Sequence, residues 1–94
     1  MSYGMPTRTT MVRGGVSCYL SEVGHYNYWY PIKNRTCVIT KDSVVDSLPW
    51  FDPSNRSLIA IKIKTTYIDG CDDQINRNKE TTVVWVDKSQ ILKW

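Results

Sequence analysis

The sequence predicts a mainly β fold, either a small antiparallel sheet or a partly open barrel, with at most one short helix. Three observations carry this. Ser57 to Ile68 (SLIAIKIKTTYI) alternates with a period of two and is rich in β-branched residues, the pattern of a strand with one buried face. Other short runs of similar composition recur along the chain, separated by Gly, Pro, Asn or Asp. The chain has 94 residues, the length of one domain with one modest core that hides roughly 60–65% of the unfolded surface. Together these predict about five to seven strands.

The Ser57–Ile68 stretch is expected to be the central strand. Ile59, Ile61, Ile63, Thr65 and Tyr67 fall on one face, and Leu58, Ala60, Lys62, Lys64 and Thr66 on the other. The second face starts apolar and turns basic. The strand should therefore be covered on both sides at its start and wet on one side further along.

The other elements follow in order. Residues 1–94 read as a single small β domain, with residues 1–6 a flexible arm. Thr7 to Arg13 suits a strand. Gly14-Gly15 then offers a two-residue turn into VSCYLSE, which predicts a hairpin. On the return strand Val16, Cys18 and Leu20 share one face, and Ser17, Tyr19 and Ser21 the other. Gly24 breaks the run before HYNYWYPI, where Tyr26, Tyr28 and Tyr30 alternate with His25, Asn27 and Trp29. Pro31 has no backbone N–H, which places this strand at an edge or ends it. A turn at Lys33-Asn34 should lead into the strand Arg35–Lys41.

Asp42 to Leu48 (DSVVDSL) is the one stretch with helical spacing. Asp42 or Ser43 serves as its cap and Pro49 ends it. Trp50 and Phe51 are too apolar for water and should plug one end of the core. Asp69 to Lys79 is a polar excursion. Glu80 to Asp87 (ETTVVWVD) is a strand expected to pair antiparallel with Ser57–Ile68 across it. KSQILKW reads as a 3₁₀ turn and a last brief strand. That ending resembles the way small SH3-like barrels close, so an SH3-like or OB-like barrel is the architecture implied.

Composition narrows the function classes. The net charge of +3 tolerates an acidic partner but falls short of a dedicated duplex binder, and it argues against a DNA mimic. Cys18, Cys37 and Cys71 are an odd, widely spaced set, which favours reduced thiols and a cytoplasmic location, with Cys71 the exposed one. The N-terminal MSYGMPTRTT lacks an apolar signal core, and no stretch is long and apolar enough to span a membrane. Cys18, His25, Cys37 and Cys71 contain no close ligand pair, so no metal is expected. No nucleophile elbow, phosphate-cradling glycine loop or recognisable carboxylate pair occurs. The expectation is a non-enzyme without a cofactor.

Aromatic density stands above this background. If Trp29 faces inward, Tyr26, Tyr28 and Tyr30 line the outside next to Lys33 and Arg35. Lys62 and Lys64, on the wet face of the central strand, would extend the same surface. In the opposite orientation the tyrosines face in and Trp29 faces out. Exposed Tyr is an efficient contact residue, so the first functional reading is a small module that occludes or bridges a protein partner. The second is binding of single-stranded nucleic acid or a nucleotide, with rings stacking on bases and cations on phosphates. The third is a structural homo-oligomer subunit. A compact single domain without catalytic or targeting motifs resembles small phage or mobile-element accessory proteins, including inhibitors of host defence enzymes. That resemblance implies a protein partner.

Overall fold

The computed structural model describes residues 8–23, 29–70 and 79–92. Among them, eight strands form one sheet: β1 (Arg8–Val12), β2 (Ser17–Val23), β3 (Trp29–Ile39), β4 (Ser43–Ser47), β5 (Leu58–Lys64), β6 (Ile68–Asp69), β7 (Thr81–Asp87) and β8 (Ile91–Leu92). Their spatial order is β6-β3-β2-β7-β5-β4-β1-β8. Every pairing is antiparallel. The fold is thus mainly β, as the alternation predicts, and the described residues contain no α-helix.

The sheet is curled. Flat, eight strands spaced about 4.8 Å apart would span over 30 Å in width with a thickness near 10 Å. The molecule instead measures 34 × 32 × 29 Å along its principal axes. One face of the sheet accordingly closes on a single interior. Val12, Cys18, Leu20, Cys37, Ile39, Val45, Ile61, Ile63, Ile68, Val84 and Val86 are buried together there, with Ile91 packed against them. All eight strands contribute to this interior.

β5 and β7 form the spine, in register from Leu58–Asp87 to Lys64–Thr81. Leu58, Ala60, Ile61 and Ile63 are buried while Lys62 and Lys64 are exposed, matching a strand covered on both sides at its start and wetted later. The strand is shorter than its sequence pattern. After Lys64 the chain makes a 3₁₀ turn, Thr65–Tyr67, and crosses to the far edge, where β6 pairs with Val38 and Ile39 of β3. β7 does the same in mirror fashion. The 3₁₀ turn Lys88–Gln90 delivers β8 to the opposite edge, against β1. Asp87 caps that second turn by accepting the Ser89 amide at 2.9 Å. Of the two edge strands so formed, β8 was expected; β6 and β4 are additions, and the two strands expected on either side of Lys33-Asn34 are one, β3, so eight strands form where five to seven were expected.

Three further expectations are corrected. Gly14-Gly15 makes a turn but no hairpin, because β1 hydrogen-bonds to β4 and β8, and β2 to β3 and β7. The turn instead lies on the β3–β4 connection. Gly15 adopts φ +93° and donates its amide to the Ile39 carbonyl at 2.7 Å. A Cβ on Gly14 would sit 2.8 Å from Lys41 Cα, so only glycine fits the approach. Second, Lys33-Asn34 does not end a strand; β3 runs through it. The register with β2 jumps from Tyr19–Thr36 to Ser21–Pro31, so the turn-forming residues become an irregularity inside a long strand. Pro31 lies on the stretch of β3 that β6 does not cover, an edge position as its missing N–H requires.

Third, Asp42–Leu48 is not helical. Ser43 and Val45 are buried while Val44 is 63% exposed, an alternation of period two. Two adjacent β-branched valines suit a pleated strand, and pairing with β1 and β5 outweighs the weak helical spacing. The thiols also differ from expectation. Cys18 and Cys37 face each other across β2 and β3 and are joined as a disulfide, with Cα atoms 4.9 Å apart. Cys71, like residues 1–6, lies outside the described residues.

An aromatic face as candidate functional site

The outer face of the sheet carries a second apolar cluster. Leu58, Ala60, Val83 and Trp85, from β5 and β7, are buried on it, and Tyr19, Trp29, Leu48 and Trp50 pack over them. Strand register explains the gathering. Tyr19 lies opposite Trp85, and Trp85 opposite Ala60, so three neighbouring strands place their outward side chains in one row. The Leu48 amide donates to the Ala60 carbonyl at 2.8 Å, which starts the 48–57 segment along the same row.

That segment forms a lid. Trp50 stacks on Trp29 with ring centroids 6.2 Å apart and planes inclined by 22°. Asp52 fixes the lid from beneath. It is buried, pairs with Lys33 Nζ at 2.6 Å, and accepts hydrogen bonds from the Ser54 amide and hydroxyl at 3.1 and 2.9 Å. Burial alone would raise the Asp52 pKa. The hydrogen bonds from Lys33 and Ser54, with the Lys33 charge, outweigh it and hold the carboxyl below its ordinary range. Lys33, whose side chain reaches Asp52, lies in the irregular part of β3.

Cations sit on the rings of this face. Lys33 Nζ is 5.8 Å from the Tyr19 ring centroid, Lys79 Nζ 5.9 Å from that of Trp29, and Arg56 Cζ 5.7 Å from that of Phe51. Phe51 is 57% exposed, contrary to its expected place in the core, whereas Trp50 packs down. The sequence puts two adjacent aromatics in a loop too short to bury both, and the stack on Trp29 takes Trp50. Beneath the lid, Trp85 is fully buried and its indole N–H has no acceptor among the described residues. An unmet buried donor of this kind costs about 1–3 kcal/mol.

The residues singled out from sequence divide. Tyr26 and Tyr28, with His25, lie outside the described residues. Trp29 turns toward the outer cluster, and Tyr30, its neighbour on β3, donates its hydroxyl to Glu22 across the β2–β3 pair at 2.9 Å. Lys33 is at the centre of the lid contact. Arg35 is exposed within the irregular part of β3. Lys62 lies between Asp46 and Val83 in the strand register, at the border of the outer cluster. Lys64 is drawn elsewhere, onto the Tyr67 ring. Tyr19, Trp50, Phe51, Arg56 and Lys79 were not foreseen as surface contacts. The only signal for them was the Trp50-Phe51 pair set between Pro49 and Pro53.

Among the described residues, no three His, Cys, Asp or Glu side chains gather as a metal site would need, and no helix is long and apolar enough to cross a membrane. Comparison with protein-family models, with curated proteins and with solved structures finds no match for this chain.

Proposed function

We propose that this chain is a non-enzymatic binding module that occludes or bridges a protein partner through its outer aromatic face. The observation that carries this reading is the second apolar cluster itself. A curled sheet of this size is closed by its interior, and nothing in folding calls for stacked tryptophans and an exposed Phe51 on the outside. Trp, Tyr and Arg are the residue types that concentrate binding energy at interfaces. Holding the lid through Asp52 orders it before contact and so reduces the entropy lost on association. Arg56 and Lys79 beside the rings favour a partner surface rich in carboxylates. In the finer form of this reading the module is a phage or mobile-element accessory protein acting on a host defence enzyme.

A second reading, single-stranded nucleic acid, has one observation in its favour: three cations held against aromatic rings, the combination that stacks bases while meeting phosphates. Affinity capture from cell lysate with the wild-type chain and with Trp50→Ala/Phe51→Ala separates the two. We expect a defined protein that is retained after nuclease treatment and lost with the variant. Loss on nuclease treatment would select the second reading. Capture that is identical for wild type and variant would remove the aromatic face from both.

A further inference from the structure

Two corners of the chain meet at a different place. The β3–β4 connection carries Lys41, and the Thr65–Tyr67 turn is preceded by Lys64. The Thr40 amide donates to the Tyr67 carbonyl at 2.8 Å and ties the corners together. Tyr67 packs partly buried against the interior cluster, so its ring is a fixed floor. Lys41 Nζ lies 4.3 Å from the centroid of that ring and Lys64 Nζ 5.6 Å from it. The two ammonium groups are therefore less than about 10 Å apart, whichever side of the ring each occupies.

Neither lysine has a carboxylate at ion-pair distance among the described residues. Asp42, next to Lys41 in sequence, is committed elsewhere: its Oδ1 accepts the Gly14 amide at 2.9 Å. Lys64 faces Thr81 across the β5–β7 ladder. Glu80 meets this corner through its backbone carbonyl, which accepts the Thr65 amide at 3.0 Å. Two exposed cations thus converge on one aromatic ring, with no ion pair to either among the described residues.

The geometry points to an oxyanion site in which Lys41 and Lys64 together hold a phosphate group beside Tyr67. Each lysine brings one positive charge to this corner, and an anion within reach of both is attracted by both. A phosphate carries more than one negative charge and several acceptor oxygens, so it serves both lysines at once with charge-assisted bonds of about 2.8 Å. The ring contacts restrict the lysine stems before the ligand arrives. The site shares no residue with the outer aromatic face and stands or falls independently of it. The phosphate has two sources, a small phosphorylated molecule or the backbone of a nucleic acid.

Amide NMR titration tests it, following residues 40–42 and 64–67. The probes are inorganic phosphate and a short oligothymidylate, with chloride at matched ionic strength as control. We expect saturable shifts confined to these two corners, weakened about tenfold or more in Lys41→Gln/Lys64→Gln and retained in Lys41→Arg/Lys64→Arg. Both lysines are exposed, so the variants fold, and an unchanged melting temperature checks it. Saturation by phosphate without oligothymidylate binding assigns a small phosphorylated ligand. Tighter oligothymidylate binding, with log K falling against log salt at a slope of about −0.7 for the one phosphate held, assigns the backbone. Shifts no larger than those with chloride, or equal shifts in the Gln variant, overturn the site.

Discussion

The molecule contains two apolar clusters on opposite faces of one sheet, and they differ in kind. The interior takes side chains from all eight strands, is aliphatic apart from Cys18, Cys37 and Tyr67, and closes on itself. The outer cluster rests on four residues of two strands. It is walled by Tyr19, Trp29 and Trp50, ends in exposed Phe51, and leaves the Trp85 indole N–H unmet. The interior is what a curled sheet needs in order to exist. The outer cluster adds aromatic area at the surface, and its lid is held by an ion pair and hydrogen bonds rather than by depth of burial. Position, composition and polar satisfaction thus separate residues that serve folding from residues available for contact.

The largest effect should come from the interior. Ile61→Ala removes a fully buried side chain from the centre of the spine and is expected to lower unfolding stability by about 2–5 kcal/mol. Urea denaturation measures it, and a change under 1 kcal/mol, the cost of a shallow site, would show the two clusters to be less distinct than their burial indicates.

An intermediate effect is expected at the lid. Asp52→Asn keeps the shape but removes the charge that pairs with Lys33. Because the Lys33 side chain is 47% exposed, solvent screening limits the loss to about 1 kcal/mol. The same contact sets a pH dependence. Asp52 has a folded pKa below its unfolded value, so its stabilising contribution is complete above about pH 4 and disappears as pH falls through the lower, folded value. Tryptophan emission should therefore change in acid before the far-ultraviolet β signal is lost, and this early step should be absent in Asp52→Asn. Coincident loss of both signals in the wild type would mean that lid and sheet are one cooperative unit.

The smallest effect on stability is expected at Phe51. Phe51→Ala should shift unfolding by less than about 0.5 kcal/mol, since the ring is more than half exposed. On the proposed reading it weakens partner binding by about 1–2 kcal/mol. Calorimetric titration of the captured partner checks this. Equal affinity for the variant would leave the exposed ring without a role.

Local pattern made much of the scaffold legible. The alternation of Leu58–Lys64 and Thr81–Asp87, and their pairing, follow from β-branched residues at period two, and the doubly buried start of β5 follows from Leu58 and Ala60 on its second face. The 3₁₀ turn and brief strand at Lys88–Leu92 were readable as well. The matching corner at Thr65–Tyr67 was hidden because Thr and Tyr continue the alternation that the backbone abandons. Gly14-Gly15 reads as a hairpin because turn chemistry is local, whereas the choice of strand partners is not.

Sequence by itself thus determined the class of fold, the spine and the faces of its strands, because side chains alternate across a strand whatever it pairs with. Tertiary structure alone decided which strands are neighbours and how the sheet curls. It also decided that Lys33 meets Asp52 across 19 residues, and that Lys41 and Lys64 both lie against the Tyr67 ring. Those contacts depend on register and on the two 3₁₀ corners, which bring together residues that no local spacing relates.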